Sequence, residues 1–378
     1  MKTSYSLPRV VQVCRRIAPG GGVGGVVLAI ESELSAIGFE CTRITADSFW
    51  HRPRASSRPG PFAHAFEVLS FSFSATRAVR KVRSTDAVVI VHNDALGGDI
   101  YVNHGLHKAL VAQQGWRMLV RNPLHGFLLM REEVRHRWPS YRTAVCLSDG
   151  EVSKLRKHYG VSAERCSVIS NGVDTQRFFP LTSERRLSAR RSWGVSDDTF
   201  VLLFVGHEFD RKGLASVLEA LRELPNDVVL WVVGGSDSAA ARWRRRADSE
   251  GLGSRVRFYG STADVVEFYH RADVFVLPSL FEASPLVSLE AMSSGLPCLL
   301  STGAGGEQYL QVGQNGYRID SPADIAAHVA HLRGDPGVRL DLAVGARDTA
   351  LSYSWAAIAT RYSELIQRVW TEKNRTDE

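Results

Sequence analysis

Short apolar runs alternate with longer stretches in which apolar residues recur every three or four positions, from one end of the chain to the other. Residues 9–14 (RVVQVC), 87–92 (AVVIVH) and 143–148 (TAVCLS) have the length and β-branched content of buried strands, and a further strand is expected near 40–45. Between the first two, Val27, Ile30, Leu34 and Ile37 share one helical face that stops at Gly38. Ser148 opens the next helix, with Glu151 three residues on as the partner of a capping box. A strand at 166–170 (CSVIS) and the turn pair Asn171-Gly172 follow. Residues 174–196 are polar, charged and marked by proline, which makes them the expected domain junction. The alternation then restarts with 200–206 (FVLLFVG), a helix with Leu214, Val217, Leu218 and Leu221 on one face, and the runs VVLWVVGG, VRFYG and VFVLPS. Such alternation predicts an α/β protein made of two tandem Rossmann-like domains, 1–178 and 179–354. A last helix carries Trp355, Ile358, Ala359, Tyr362, Leu365, Ile366 and Val369 on a broad apolar face. That face docks either on its own domain or back on the first, and the domain assignment adopts the return, joining 355–378 to 1–178.

Composition bounds the class without choosing a function. At 378 residues, 44% hydrophobic and 23% charged, the chain suits two ordinary domains and is neither disordered nor fibrous. No apolar run reaches the roughly 18–20 residues that span a bilayer, and the N-terminus lacks the apolar core of a signal peptide, so the expected address is the cytoplasm. The five cysteines, Cys14, Cys41, Cys146, Cys166 and Cys298, are scattered and read as small buried hydrophobes. Charge is uneven: residues 1–180 hold 24 Lys and Arg against 14 Asp and Glu, the rest 22 against 26. The basic clusters RAVRKVR and REEVRHRWPSYR could meet anionic headgroups or a phosphorylated acceptor, or could be solvated helix faces. Without an aromatic stacking platform among them, no nucleic-acid partner is expected.

Gly20, Gly22 and Gly25 stand in G-x-G-x-x-G register between the first strand and the first helix, the layout of a dinucleotide fingerprint. An NAD(P)- or FAD-dependent oxidoreductase using the Gly20–Gly25 loop is therefore one reading. It requires an acidic residue at the far end of the second strand, where Glu40 comes too early and Asp47 late. A sugar-nucleotide epimerase, or a non-catalytic sugar-nucleotide binder, fits the same architecture.

The denser chemistry lies in the second half. In VFVLPSLFEASPLVSLEAMSSGLP a strand ends at Pro278, a loop carries Glu282, Pro285 takes the first turn of a helix, and Glu290 lies within it. Eight residues of helical rise set the two carboxylates on the order of 12 Å apart. Between them the free amides of the first turn suit a phosphate, and carboxylates suit the hydroxyls of a sugar and a ribose. In LLFVGHEFDRKG the strand ends at Gly206 and the loop carries Arg211 and Lys212. Two cations at a strand end can neutralise a departing diphosphate without a metal. The chain contains no D-x-D pair, so neither metal nor other cofactor is expected.

Together these motifs resemble glycosyltransferase family 4, the retaining nucleotide-sugar transferases in which two Rossmann-like domains face an interdomain cleft (GT-B). The spellings GHEFDRKG and GGDIY are most similar to the lipopolysaccharide-core glucosyltransferase branch, which uses UDP-glucose. The resemblance implies a first domain for the acceptor, a glycan, glycolipid or other hydroxyl compound, and a second for the nucleotide-sugar donor. The basic excess of the first half, in turn, makes peripheral contact with the inner face of the cell membrane an expectation. Arg211 and Lys212 match the pair that holds the diphosphate, Glu290 the carboxylate on the ribose, and Glu282 the residue beside the donor sugar. Gly206, Gly260, Ala283, Ser284 and the amides of Leu286 and Val287 fall in the donor-binding loops, and Gly21, Gly22 and Val23 in the loop nearest the reacting sugar. Pro285 departs from the pattern, since it stands where a smaller residue is usual and has no N–H to offer. His92 matches a histidine near the sugar, with His104 and His107 as weaker candidates. Asp99 is the first-domain carboxylate that a double displacement would need.

Overall fold

Every position of Ala87–His92 is buried, because a central strand of a parallel sheet is covered by helices on both faces. The same holds for Phe200–Val205, and these two strands sit in the middles of two separate six-stranded sheets. The computed structural model describes residues 7–17, 22–50, 61–82, 86–122, 124–138, 140–306 and 308–375. It divides into two units, Met1–Ser170 with Trp355–Glu378, and Asn171–Ser354.

In the first unit the strands are β1 (Arg9–Val13), β2 (Cys41–Ile44), β3 (Ala87–His92), β4 (Ile100–Asn103), β5 (Thr143–Cys146) and β6 (Cys166–Val168), in the order β2-β1-β3-β4-β5-β6 and parallel throughout. Chain order reverses direction across the sheet between β1 and β3, so their carboxyl ends frame an open crevice. The helix Val23–Ile37 buries Val26, Val27, Ile30 and Leu34, while Ile37, expected on the same face, is exposed at the final turn. The terminal helix Trp355–Arg375 packs on that helix and on β3, which places 355–375 in this unit.

In the second unit β7 (Phe200–Val205), β8 (Val228–Val233), β9 (Val256–Gly260), β10 (Val274–Leu277), β11 (Cys298–Leu300) and β12 (Gly316–Arg318) run in the order β12-β11-β10-β7-β8-β9, again all parallel. Here the reversal falls between β7 and β10. Val173, which donates to Tyr353 O at 2.9 Å, and Phe178, buried in this unit's core, draw residues 171–178 into the second unit and set the division at Ser170.

Three local expectations change. The polar stretch 174–196 is no linker: Ser183–Ser192 is a helix whose Arg186 and buried Arg190 grip Asp273 at 2.8 and 3.1 Å, just ahead of β10. At Ser148 the hydroxyl does accept from Glu151 N, but the Glu151 carboxylate turns inward to Asn103 Nδ2 (3.1 Å) and Lys154 Nζ (2.6 Å), so the reciprocal half of the box is unmade. Pro285 is the N-cap of Leu286–Ser293 rather than its first-turn residue.

Candidate functional site

At the β7–β10 reversal three loops interlock, and glycine is what lets them. Gly206 directly follows β7; a Cβ there would lie 2.1 Å from Lys212 Cδ, so the lysine stem lies where a side chain would be. Gly213 has φ 80°, and its Cβ would meet Pro278 O at 2.0 Å, so the loop after β7 runs against the loop after β10 with no room for more than hydrogen. Leu280 N donates to Arg211 O (2.9 Å) and Glu282 N to Gly303 O (2.8 Å), tying in the loop after β11. The strands thus present Arg211, Lys212 and Glu282 from different loops at one point, where open parallel sheets bind ligands.

The charges there converge. Lys212 Nζ lies 2.8 Å and Arg211 Nη1 3.0 Å from Glu282 Oε1, which makes no aligned hydrogen bond with either, so the contact is one of charge. Arg211 is also held by Glu208 Oε2 at 2.7 Å and by Phe281 O. Glu282 and Lys212 are both largely buried, where a charge pair is stronger than on an open surface. Beyond them Leu286 and Val287 open the helix with amides at its first turn.

Glu290, one turn on, takes the Tyr269 hydroxyl on Oε2 at 2.9 Å. Burial raises its carboxyl above the usual range, against the opposing pull of Tyr269, Arg177 and Lys212. Burial beside this carboxylate raises the Tyr269 phenol well above its ordinary value, keeping it a donor. Ala283 and Ser284 complete the loop, and Ser284 O is fixed by Asn171 Nδ2 at 2.9 Å. Gly260 closes β9 with its carbonyl accepting from Gly234 N at 2.7 Å, and Gly234 in turn packs on Gly206 O. Tyr269 and Asn171 are the residues sequence reading passed over. Tyr269 belongs to no motif, and Asn171 in the sequence signals only a turn.

The first unit's candidates separate. Gly20 and Gly21 lie outside the described residues. Gly22 is the N-cap of the first helix with φ 83°, and Val23 is its first residue. Glu40 precedes β2 and its carbonyl accepts from Val10 N, which sets it at the amino edge of the sheet, opposite Gly22. It therefore cannot serve a dinucleotide on the glycine loop. His92, by contrast, ends β3 at the carboxyl edge. Gln12 Nε2 donates to Val27 O, so Gln12 Oε1 accepts from His92 Nε2–H at 3.0 Å, and His92 Nδ1 accepts from His104 Nε2–H at 2.9 Å. Burial holds both imidazoles neutral, His92 well below its ordinary value and His104 at about 4. His107 pairs instead with His125 Nδ1, at 3.0 Å.

Asp99 is a correction. It immediately precedes β4, at the amino edge, fully buried, accepting from Val89 N at 3.0 Å and lying 3.5 Å from Lys373 Nζ of the terminal helix. Ligands of a parallel sheet sit at the other edge. Its work is to anchor that helix.

Comparison with known proteins agrees with this geometry. The family described as Glycosyltransferase Family 4 matches residues 20–177, and that described as Glycosyl transferases group 1 matches 186–348. The D-inositol 3-phosphate glycosyltransferase of Thermomonospora curvata is 33% identical over 233 residues, 57% of this chain and 54% of that protein. Lipopolysaccharide glucosyltransferase WaaG of Escherichia coli K12 is 30% identical over 184 residues, 47% of this chain and 48% of that one. The chain thus spans about half the length of the curated relatives it matches. The WaaG crystal structure superposes with a TM-score of 0.75 at 22% identity, covering 94% of this chain and 99% of that one. Anabaena HepE in complex with UDP and glucose superposes at 0.69 and 16% identity, covering 95% and 99%. Both share the fold.

Proposed function

This chain belongs to the two-domain glycosyltransferases, Family 4 in its first half and group 1 in its second, and from that premise we propose a retaining transferase that moves a hexose from a nucleoside diphosphate sugar to a hydroxyl of a glycan, glycolipid or similar acceptor. The observation that carries this reading is the meeting of Lys212, Arg211 and Glu282 at the β7–β10 reversal. UDP and glucose are the favoured donor parts: HepE has been crystallised with both, and WaaG is a glucosyltransferase.

In this reading the diphosphate meets Lys212, Arg211 and the amides of Leu286 and Val287, while Glu290 takes the ribose hydroxyls and Glu282 faces the sugar. As the bond from the anomeric carbon to the phosphate oxygen breaks, charge builds on the departing diphosphate. The two cations stabilise that charge in place of a metal. The acceptor hydroxyl attacks from the same face and passes its proton to a leaving phosphate oxygen, releasing UDP and a glycoside of retained configuration. Thermal shift with UDP, GDP and NADH tests the donor site. Stabilisation by a nucleoside diphosphate is expected, and stabilisation by NADH alone would overturn the reading.

The proposal includes a membrane-peripheral, cytoplasmic setting for the first unit. The helix Leu124–Arg137 supports it by being inverted: Arg131, Glu132, Arg135 and His136 are buried, whereas Met130 is 56% exposed and Phe127 only partly covered. Phe73, 69% exposed, sets its ring 6.4 Å from Phe127, and Phe66, two turns away on the same helix, is equally open. Exposed Arg77, Arg80, Arg117 and Arg137 supply cations among these apolar groups, a combination that suits an anionic lipid interface. No helix among the described residues is long and apolar enough to cross a membrane. Sedimentation with phosphatidylglycerol vesicles, weakened by Met130→Asp and by salt, is the expected result; equal sedimentation of the variant would refute it.

A further inference from the structure

The first unit has its own reversal point, between β1 and β3, and a knot of guanidinium groups occupies it. Arg15 and Arg16 leave the carboxyl end of β1, and Asn93 and Asp94 leave that of β3. Arg15 N donates to Asp94 Oδ2 at 2.9 Å, and Arg15 Nη1 lies 3.4 Å from Glu67 Oε1. Arg16 spends Nε (2.8 Å) and Nη2 (2.5 Å) on the same buried Glu67. From the helix Leu124–Arg137, Arg131 Nη1 donates to Asp94 O at 3.0 Å and Arg135 Nη2 to Asn93 O at 2.6 Å and Ala95 O at 2.9 Å. Asn93 is held at φ 50°, an uncommon conformation for a residue other than glycine.

Cations outnumber carboxylates in this knot. Among the described residues four guanidiniums face two carboxylates, Glu67 and Asp94, with Asp47 acting on Arg16 from further off. Each near carboxylate is already shared. Arg131, 8% exposed, is pulled down to about 10 by burial and then by Arg135, and its Nε has no hydrogen-bond partner; that of Arg15 has none either, though it lies 3.9 Å from Asp94 Oδ1. Gathering like charges in a partly buried place costs free energy unless an anion completes the set. Arg16, 53% exposed, retains its Nη1 for such a ligand at the mouth.

We propose that the β1–β3 crevice binds a phosphate-class oxyanion carried by the acceptor, with Arg16 and Arg15 as its recognition residues. Arg131 and Arg135 act as positioning residues that lock the 93–95 loop. The inference leans on the donor reading only in calling the carrier of the anion the acceptor. The anion is either a free phosphomonoester or a lipid headgroup.

The test uses the full chain with saturating UDP. Glycerol 3-phosphate, glycerol and phosphatidic acid vesicles are titrated separately by calorimetry against wild type, Arg16→Ala, Arg16→Glu and Arg245→Ala, an exposed arginine of the second unit that serves as control. Saturable binding of glycerol 3-phosphate but not glycerol is expected, weakened about 10-fold by Arg16→Ala, abolished by Arg16→Glu and untouched by Arg245→Ala. Arg16-dependent binding to the vesicles alone assigns the anion to a lipid headgroup; binding of glycerol 3-phosphate assigns it to a soluble acceptor. Binding of glycerol 3-phosphate that ignores Arg16, or no Arg16-dependent binding of either phosphate, overturns the site. Arg16-dependent phosphate binding in a protein that does not bind UDP would instead overturn the donor reading and keep this one.

Discussion

Lys212 Nζ stands 2.8 Å from Glu282 Oε1, so before any donor arrives the cation is already paired with a carboxylate from the loop after the neighbouring strand. In the proposed reading a diphosphate competes with Glu282 for the same ammonium group. Glu282→Gln is therefore expected to hold UDP as tightly as wild type or a few-fold tighter, while sugar transfer falls by about 100-fold or more. Lys212→Ala is expected to weaken UDP about 10-fold. Calorimetry beside a UDP-release assay separates the two; parallel losses of affinity in both variants would show that Glu282 holds the donor rather than the reacting sugar.

In its proposed role on the ribose, Glu290 sets the pH dependence expected of donor binding. Its carboxyl is raised, chiefly by burial, so it protonates at a higher pH than an exposed glutamate and then loses an acceptor for ribose hydroxyls. UDP affinity should fall on acidification, and Glu290→Gln should remove the fall while binding more weakly at neutral pH. A UDP affinity in Glu290→Gln equal to wild type would exclude a ribose contact.

The glycines at the reversal separate stability from affinity. Gly213→Ala places a Cβ against the Pro278 carbonyl in a left-handed backbone and should destabilise the protein by about 2 kcal/mol or more. In Gly206→Ala the clash is with the bendable lysine stem, so the fold should persist while Lys212 is displaced and UDP binding weakens. Denaturant midpoints and UDP affinities measured on both variants check the contrast.

The His92–His104 pair predicts an acid limb in stability. His104 titrates at about 4 in the folded chain and near 6.5 when unfolded, so between those values the unfolded chain binds the extra proton. Stability contributed by the neutral ring is complete above pH 6.5 and drains away as pH falls towards 4. His104→Gln should flatten Tm against pH across that window; an unchanged slope would mean the ring is protonated in the native protein.

Asp99 and Lys373 should behave as structural residues. Lys373→Ala takes the cation away from the buried Asp99 carboxylate and removes a donor from Ala87 O, with an expected loss of about 3 kcal/mol. Asp99→Asn should lower Tm while leaving kcat per folded molecule intact, and a large fall in kcat would restore Asp99 to the reaction.

What the sequence conveys depends on how local each interaction is. Strands such as Ala87–His92 are legible because burial on both faces leaves an unbroken apolar run. The loops carrying Arg211, Lys212 and Glu282 are legible because each follows such a run directly. Asp99 misleads because GGDIY does not read as a strand start; once β4 begins at Ile100, the residue before it belongs to the opposite edge. Arg186 and Arg190 look like linker residues because their partner Asp273 lies more than 80 residues away. Tyr269 is hidden for the same reason, its carboxylate being 21 positions downstream.

The backbone bond from Val173 N to Tyr353 O brings together the two ends of the second unit, which is an uninterrupted insert within the first. On the ribosome, Asn171–Ser354 is therefore complete and able to close while the first unit still lacks the helix that covers β3. Of the two units, the one started earlier is the one finished later. Its maturation waits on residues 355–375, so a premature stop there would spare the later-made unit and leave the earlier-made one exposed to chaperones and proteases.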